Sequence, residues 1–244
     1  MLGEESMQGI ILAGGRGTRL APYTTIIPKP LLPIGDVPIL DVVIRQLARH
    51  GITQLTMAVG YLAELLMAYF ADGSKYGVKL NYAKEEEPLG TAGPLGTIAG
   101  LDETFLVMNG DILTTLDYSQ LLAFHRASGA LATITAHRRE VYIDFGVIER
   151  RNETEVQDYI EKPTEYYLVS MGIYIFEPTV LKFIESRKRL DFPDLVKRLL
   201  EAKVKLAIYR SEDFWLDIGR PDDYQKAIEI FAQQRERFIG RSSP

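Results

Sequence analysis

Cysteine is absent from this chain of 244 residues. Its absence excludes disulfide bonds and thiolate metal sites, and it fits a reducing compartment. Long hydrophobic runs are missing as well, since no stretch approaches the roughly 18 apolar residues that a membrane span requires. Basic residues are not in excess, because the chain has 28 lysines and arginines but 33 aspartates and glutamates, which gives a net charge of −5. These absences argue against a membrane protein and a nucleic-acid-binding surface, and they predict a cytoplasmic location.

Histidine is scarce too. The three histidines stand at positions 50, 125 and 137. They are scattered along the sequence, and no Ser/His/Asp or Cys/His arrangement for nucleophilic catalysis can be assembled around them. We therefore interpret them as structural or exposed residues.

The segment from Gly9 to Leu20 joins an apolar run of strand length to three glycines within four residues. Glycine lets the backbone turn at positive φ and approach a ligand closely. Successive exposed N–H groups then form a concave site for an anion. Three cations stand in or near this segment: Arg16, Arg19 and Lys29. The pattern predicts a loop that holds a triphosphate, and the alternative is a flexible surface turn.

Two common phosphate-binding loops do not fit this segment. A P-loop ends in Gly-Lys-Ser or Gly-Lys-Thr before a helix, whereas Gly17 is followed here by Thr18 and Arg19. A dinucleotide-binding loop would need glycine in place of Leu20 and a helix after it, and four prolines interrupt any helix between residues 22 and 33. The segment therefore belongs to another class of phosphate-binding loop.

The order of the predicted elements indicates the fold class. Strand-like apolar runs alternate with amphipathic helical patterns through the first half, which is typical of parallel βαβ units. A further strand is predicted at residues 131–136. Shorter strand patterns after it, at residues 146–150, 156–160 and 169–176, predict an antiparallel insertion on the parallel core. Later helices are expected over residues 178–186, 192–201 and 221–238. The fold class is therefore α/β, with three α/β/α layers around a mixed sheet.

Two aspartates stand where ligands bind in open parallel sheets, beyond the carboxyl ends of strands. Asp111 follows the apolar run 105–108 directly, after Asn109 and Gly110. Taken alone, it could equally be a turn or helix-cap residue. Asp217 lies within the apolar hexamer 214–219, where an idle surface charge is uncommon. Two carboxylates that converge on a triphosphate predict a Mg²⁺ site.

The glycine loop reads Leu-Ala-Gly-Gly-Arg-Gly-Thr-Arg-Leu at residues 12–20 and is followed by Pro-Lys-Pro at 28–30. In this order and spacing, the two strings resemble the signature of the sugar-1-phosphate nucleotidyltransferases, also called nucleoside-diphosphate-sugar pyrophosphorylases. The resemblance implies a nucleotide-diphospho-sugar transferase fold in one domain over residues 1–244, without a C-terminal β-helix domain. Its nucleotide-binding half would cover residues 7–135, and its sugar-binding half with the closing helix would cover residues 136–239.

The resemblance also implies roles for individual residues. It assigns Asp111 and Asp217 to Mg²⁺ through the family's Gly-Asp and Trp-x-Asp-x-Gly motifs. It assigns Arg19 to the leaving pyrophosphate, Lys29 to the α-phosphate and Lys162, in a Glu-Lys-Pro motif, to the attacking phosphate. The implied nucleotide contacts, which include the loop Leu-Gly-Thr-Ala-Gly at 89–93, are Leu12, Ala13, Gly14, Gly15, Gly17, Thr18, Gly90, Thr91 and Gly110. The implied sugar contacts are Asn109, Glu161 and Gly172. Without the resemblance, the Glu-Lys pair would be interpreted as solvated charges at a strand end.

The implied reaction is a Mg²⁺-dependent transfer of a nucleotidyl group to a sugar 1-phosphate, with pyrophosphate as the second product. The loop at 89–93 looks closest to mannose- and heptose-type guanylyltransferases, so GTP with mannose or heptose 1-phosphate is the favoured pair. Thymidylyl, uridylyl and cytidylyl transfer to glucose 1-phosphate or a related sugar phosphate stay open. A sugar-nucleotide-sensing regulatory subunit is an alternative, which the retained cations disfavour. A glycosyltransferase is disfavoured because residues 109–111 lack its Asp-x-Asp motif.

The expected partners are thus the nucleoside triphosphate and the sugar 1-phosphate. Neither a nucleic acid nor a membrane is expected, and the sequence leaves a homo-oligomer open.

Overall fold

The computed structural model describes residues 7–240. Within them the strands are β1 (Gln8–Ala13), β2 (Pro33–Ile34), β3 (Val37–Pro38), β4 (Gln54–Val59), β5 (Lys79–Lys84), β6 (Phe105–Asn109), β7 (Ile112–Thr114), β8 (Ala132–Tyr142), β9 (Val147–Arg150), β10 (Val156–Ile160), β11 (Thr164–Phe176), β12 (Leu206–Ser211) and β13 (Trp215–Asp217). The α-helices are α1 (Ile39–Arg49), α2 (Ala63–Phe70), α3 (Tyr118–Ser128), α4 (Phe192–Glu201) and α5 (Pro221–Ile239). Short 3₁₀ helices cover Thr18–Leu20, Tyr23–Thr25, Lys29–Leu31, Ser74–Tyr76, Gly93–Thr97 and Pro178–Phe183.

Seven strands form one mixed sheet in the order β12-β8-β11-β6-β1-β4-β5. Strand β1 is parallel to both of its neighbours, β4 and β6. Strand β11 runs antiparallel to β6 and β8, so the direction reverses there. Leu12 near the end of β1 pairs with Asn109 at the end of β6. The glycine loop and Asp111 therefore leave the sheet side by side, at the edge where open parallel sheets bind ligands.

Helices cover both faces of the sheet because adjacent side chains of a strand point to opposite sides. Ile11 of β1 packs with α1, α2 and α3, whereas its neighbour Ile10 packs with α4 on the other face. Helix α5 forms a third apolar cluster, in which Phe231 packs with Val42 of α1. All three clusters consist of buried side chains, each of which stabilises the fold by about 1.5–3 kcal/mol relative to exposure. The α/β class with three layers is thus confirmed.

Strands β8 and β11 continue beyond the sheet as a two-stranded extension. Strand β12 ends opposite His137, and β6 pairs with β11 only over residues 173–176. The outer parts of β8 and β11 therefore have only each other as partners, and β9 pairs with β10 alone as a separate antiparallel pair. We call residues 138–169, which hold these four segments, the distal ribbon.

The helix expected over residues 178–186 is a 3₁₀ helix over Pro178–Phe183. It ends early because the chain must turn back toward the loop at 89–93, where the N–H of Leu190 donates to the carbonyl of Leu89 at 2.9 Å. A tertiary contact thus overrides the local helical pattern. Across residues 7–240, none of the helices combines the length and apolar character needed to cross a membrane.

Candidate active site

The glycine loop after β1 encloses a cavity of about 290 Å³, which we call the glycine-loop cavity. Gly17 has φ of 61°, a left-handed conformation that favours glycine. A Cβ atom there would lie 3.1 Å from both Lys29 and Thr24, so the loop is closed tightly over the lysine. The cavity is lined by Leu12, Ala13, Gly15, Gly17, Thr18, Arg19, Lys29, Pro30 and Asp111. Seven of the residues predicted to bind phosphate, and one predicted metal ligand, therefore lie around one space.

A second cavity of about 290 Å³ adjoins the first and shares Leu12, Gly15 and Asp111 with it. We call it the Glu85 cavity. Its lining residues are Leu12, Gly14, Gly15, Glu85, Pro88, Gly90, Thr91, Pro94, Asn109 and Asp111. Because they share these residues, the two cavities form one groove at the carboxyl edge of the sheet, with Lys29 at one end and Glu85 at the other.

Glu85 is the residue that the sequence analysis missed. It follows β5 directly, and its carboxylate lies against Gly14, where an added Cβ would stand 2.6 Å from Oε1. Its Oε2 accepts the N–H of Leu89 at 2.8 Å, which fixes the side chain in the cavity. Burial raises the pKa of Glu85. Its place directly after a parallel strand was the signal that could have identified it, because ligands bind beyond the carboxyl ends of such strands.

Gly90 and Thr91 are tied to the start of α4. Gly90 has φ of 78°, and a Cβ there would stand 2.7 Å from the carbonyl oxygen of Leu190. The backbone N–H of Thr91 donates to Asp191 at 3.0 Å, and the Thr91 hydroxyl accepts the N–H of Phe192 at 2.8 Å. The threonine side chain thus caps a helix, and the loop presents mainly its backbone to the cavity.

Asp111 forms an ion pair with Lys29 through Oδ2. The other oxygen, Oδ1, is buried and has no hydrogen-bond partner. A buried carboxylate oxygen without a partner is costly unless a ligand satisfies it, and carboxylate oxygens are what a hard divalent cation prefers. Gly110 lets the turn before Asp111 pack under β1, since its N–H donates to the carbonyl of Leu12 at 2.9 Å.

Asp217 is brought to Asp111 by the pairing of β13 with β7. Asp217 pairs with Ile112, and the N–H of Ile218 donates to the carbonyl of Asp111 at 3.1 Å. Burial raises the pKa of Asp217, and the negative charge of Asp111 raises it further, whereas Lys29 and Arg19 oppose the shift. The two carboxylates therefore share one electrostatic environment. Within residues 7–240 no group of three or more His, Cys, Asp or Glu side chains is arranged to hold a metal ion.

A third cavity, of about 450 Å³, lies on the other side of Asp217. We call it the cationic cleft, because five of its lining residues are basic: Arg19, Arg138, Arg139, Arg220 and Lys226. The acids that line it are Glu140, Asp217 and Asp223. No ion pair among the described residues involves Arg19, Arg139, Arg220 or Lys226. The excess of unpaired positive charge suits the cleft to an anion.

Two predicted sugar contacts lie together beside the Glu85 cavity. Gly172 has φ of 72°, and a Cβ there would stand 2.6 Å from Nδ2 of Asn109. The glycine therefore leaves room for the asparagine, which lines the cavity.

Glu161 and Lys162 lie elsewhere, at an exposed turn of the distal ribbon. Lys162 is 3.5 Å from Asp144, and Glu161 accepts the hydroxyl of Tyr159 at 3.2 Å. Neither residue lines any of the three cavities described above. Their roles toward sugar and phosphate stay predictions.

Comparisons with known proteins agree with this architecture. The model of the nucleotidyl transferase family matches residues 8–234. A mannose-1-phosphate guanyltransferase of Candida albicans is 36% identical over 227 residues, which cover 89% of this chain and 62% of that relative. A UTP–glucose-1-phosphate uridylyltransferase of Synechocystis is 35% identical over 242 residues, with 91% and 62% covered. The chain therefore spans about three fifths of the length of these curated relatives.

Solved structures share the fold. HddC of Yersinia pseudotuberculosis superposes with a TM-score of 0.72 and 25% identity, over 92% of this chain and 99% of that one. A proposed glucose-1-phosphate thymidylyltransferase of Bacillus anthracis gives a TM-score of 0.73 and 23% identity, over 98% of this chain and 97% of that one. The Rossmann-like mixed sheet is thus common to all three.

Proposed function

Because this chain belongs to the nucleotidyl transferase family, we propose that it transfers a nucleotidyl group from a nucleoside triphosphate to a sugar 1-phosphate. The relatives described above are named for this reaction with mannose 1-phosphate or glucose 1-phosphate. The observation that carries the proposal is the groove in which the glycine loop, Lys29 and Asp111 surround one space, with Asp217 held beside Asp111 by strand pairing.

In the proposed reaction, a phosphate oxygen of the sugar 1-phosphate attacks the α-phosphorus of the triphosphate. The bond from that phosphorus to the bridging oxygen breaks, and pyrophosphate leaves with the electron pair. The nucleophile is already an anion, so no general base is needed, and catalysis rests on positioning and on neutralising negative charge. We assign Arg19 to the leaving pyrophosphate and Lys29 to the α-phosphate, since both line the glycine-loop cavity.

We propose that Asp111 and Asp217 hold Mg²⁺ when the triphosphate binds. The support is the buried, unpartnered Oδ1 of Asp111 and its proximity to the second carboxylate. The two carboxylates would be ligands of the ion, and the bound Mg²⁺ would neutralise negative charge on the phosphate oxygens. Lys29, the ion-pair partner of Asp111, would lie beside this site and neutralise charge on the α-phosphate.

We propose GTP as the triphosphate, with the Glu85 carboxylate as the contact to the base. Guanine presents two adjacent donors, N1–H and the N2 amino group, to an acceptor on that edge. Uracil and thymine present one N–H between two carbonyl oxygens, and these oxygens would face the carboxylate with like charge. A fixed carboxylate in the ring end of the groove therefore favours guanine.

We propose mannose or heptose 1-phosphate as the acceptor, bound between Asn109 and the cationic cleft. The sugar phosphate must lie next to the metal carboxylates, and the cleft borders Asp217 with unpaired cations. Arg220 is the cation that follows Asp217 most closely in sequence within this cleft, so we assign it to the attacking phosphate beside the implied role of Lys162. The proposed reaction needs neither a nucleic acid nor a membrane.

Pyrophosphate release, measured with Mg²⁺ and with each nucleoside triphosphate crossed against a panel of sugar 1-phosphates, tests the proposal. We expect release only when both substrates are present, with GTP and mannose or heptose 1-phosphate as the fastest pair. No turnover with any pair would contradict the proposal. Binding of a sugar nucleotide without turnover would favour a regulatory subunit instead.

The variant Asp111→Asn should lower turnover by at least about 10²-fold, because the amide is a weaker ligand for a hard cation. The matched control is Asp102→Asn, an exposed aspartate before β6, at the opposite edge of the sheet. Wild-type rates in Asp111→Asn with an unchanged melting temperature would remove this residue from the metal site.

A further inference from the structure

Tyr61, which follows β4 after Gly60, contacts the glycine loop from outside the glycine-loop cavity. Its backbone N–H donates to the carbonyl of Gly14 at 3.2 Å. Gly60 allows this close approach, because a Cβ atom there would stand 3.0 Å from the carbonyl oxygen of Gly14. Neither Gly60 nor Tyr61 lines the cavity. The beginning of the glycine loop is therefore held by the end of the neighbouring strand.

The hydroxyl group of Tyr61 holds the chain that follows the glycine loop. It donates to the carbonyl of Thr25 at 2.7 Å. The preceding residue, Thr24, is buried, and its hydroxyl donates to the carbonyl of Gly17 at 2.9 Å. Both Gly14 and Gly17 are thus tied to one tyrosine, the first directly and the second through the two threonines.

Arg16 packs on the same tyrosine. Its guanidinium carbon is 5.7 Å from the centroid of the Tyr61 ring, within the distance of a cation–π contact. Arg16 takes part in no ion pair in the part of the chain that the structure describes. Unlike Arg19 and Lys29, it does not line the glycine-loop cavity. One of the three cations near the loop therefore contacts a ring outside the cavity.

The backbone directly after Tyr61 has a conformation that needs support from its surroundings. Leu62 has φ of 53° and ψ of 37°, a left-handed conformation that is uncommon for a residue with a Cβ atom. A residue stays in this conformation only when the surrounding contacts require it, and such residues cluster at functional sites. Leu62 is also the last residue before α2, so Tyr61 is held between a strand and a helix.

The order of the glycine loop bears directly on its affinity for a ligand. Glycine loses more backbone freedom on ordering than any other residue, and this loop has three glycines within four residues. When the loop is ordered in advance, this entropy loss does not reduce the affinity. When only a fraction of the molecules has the binding conformation, the apparent dissociation constant rises in inverse proportion to that fraction. Contacts that hold the loop from outside therefore strengthen binding inside it.

We propose that Tyr61 is a positioning residue for the triphosphate, and that Arg16 acts through Tyr61 and not on a phosphate group. Tyr61 holds the glycine loop in the conformation that surrounds the phosphates. This inference rests on the proposed function, in which the loop binds the triphosphate. It makes the affinity of the loop depend on a tyrosine that touches no substrate.

Binding of inorganic pyrophosphate in the presence of Mg²⁺, measured by titration calorimetry, tests the proposal. Pyrophosphate contains no base, so the result does not depend on which nucleotide the enzyme uses. Tyr61→Phe removes the bond to Thr25 and keeps the ring. Its dissociation constant for pyrophosphate should rise about two- to tenfold, the factor that corresponds to one neutral hydrogen bond.

The matched control is Tyr82→Phe. It removes a hydroxyl bond of the same length, 2.7 Å, to the carbonyl of Ala71, outside the glycine loop. The melting temperatures of Tyr61→Phe and Tyr82→Phe should fall by similar amounts, because each variant loses one such bond. Tyr82→Phe should nevertheless bind pyrophosphate like the wild type, and an equal loss of affinity in this control would overturn the proposal.

A double-mutant cycle separates the indirect role of Arg16 from a direct phosphate contact. Arg16→Met and Tyr61→Leu should each weaken pyrophosphate binding. The double variant should bind no more weakly than Tyr61→Leu alone, because Arg16 has no partner once the ring is removed. Single effects that multiply in the double variant would overturn the indirect role, since Arg16 would then contact a phosphate itself.

Amide hydrogen exchange in residues 14–18, measured without ligand, gives a second readout. Exchange should be faster in Tyr61→Phe than in the wild type and unchanged in Tyr82→Phe. In turnover, KM for the triphosphate should rise in Tyr61→Phe, whereas KM for the sugar 1-phosphate should stay the same. Unchanged pyrophosphate binding in Tyr61→Phe would overturn this inference and leave the proposed function intact. A wild-type chain that binds no pyrophosphate would overturn both.

Discussion

Replacing Glu85 with glutamine is the most informative change in the proposed base site. The carboxylate is held by the N–H of Leu89 at 2.8 Å, and its other oxygen lies against Gly14 in the cavity. Glutamine has the same shape and can keep the bond from Leu89 through its amide oxygen. The free end of the side chain then changes from a charged acceptor to a neutral donor, and the rest of the cavity is preserved.

The expected effect is a change of base preference. GTP loses one hydrogen bond to a charged group, which contributes about 1.5–3 kcal/mol. That range corresponds to a loss of about 10- to 150-fold in kcat/KM for GTP. UTP gains, because the amide can donate to a uracil carbonyl where the carboxylate repelled it. The ratio of kcat/KM for GTP to that for UTP should therefore fall by at least tenfold.

Stability provides an internal check on this variant. Burial raises the folded-state pKa of Glu85 above its unfolded value. Such a carboxyl contributes stability below its unfolded pKa, and this contribution is lost as pH rises through the folded pKa. At neutral pH the buried charge of Glu85 is a cost that glutamine removes. The melting temperature of Glu85→Gln should therefore equal or exceed that of the wild type at pH 7, and the difference should vanish in acid.

The assay is pyrophosphate release at saturating sugar phosphate with GTP and with UTP varied in turn. Glu87→Gln is the matched control, since it removes the same charge from an exposed position that does not line the Glu85 cavity. A GTP-to-UTP ratio that stays at the wild-type value would refute the assignment of Glu85 to the base. An equal shift in Glu87→Gln would show that the effect is only long-range charge.

Two further substitutions probe the phosphate end of the groove. Lys29→Met should lower turnover by about 10²–10³-fold. It should also destabilise the fold, but by less than the about 3–5 kcal/mol lost when a fully buried ion pair is broken, because the Asp111 side chain is 22% exposed. In calorimetry, Mg²⁺ should raise the melting temperature of Lys29→Met more than that of the wild type, and an equal rise in both proteins would count against ligation by Asp111. Gly17→Ala combines a φ of 61° with contacts at 3.1 Å, whereas the control Gly77→Ala has a φ of 71° in open space. Both should lose about 1–2 kcal/mol of stability, but only Gly17→Ala should weaken nucleotide binding in titration calorimetry.

The parts of the fold that the sequence predicts well are those with local signals. Helix α4 begins and ends at the predicted residues, 192 and 201, because Pro193 stands in its first turn. The glycine loop was also predicted, and its structure requires glycine at two positions: Gly17 has a positive φ, and a Cβ atom at Gly14 would stand 2.6 Å from Glu85. The residues that this loop brings together, Arg19 and Lys29, follow from short-range geometry.

The parts that the sequence did not predict depend on contacts between distant segments. Strands β8 and β11 are much longer than the predicted residues 131–136 and 169–176, since their outer parts have exposed side chains and no burial pattern to identify them. Glu85 reaches the cavity only because β5 lies at the edge of the sheet beside β4. The capping role of Thr91 depends on a partner 101 residues away. The residue pattern of a single segment does not show which distant segments it will contact.

The pairing of β7 with β13 has a consequence for how the chain acquires activity. The two proposed metal ligands, Asp111 and Asp217, are held together by strands that lie about a hundred residues apart in sequence. A growing chain can complete the glycine loop and the β1–β6 pairing well before β13 has been synthesised, yet it has only one of the two carboxylates. Non-local strand pairing of this kind is also slow to form. The pair of proposed metal ligands is therefore complete only once β13 has paired with β7, so a chain folded as far as β6 would have the proposed phosphate loop without its second carboxylate.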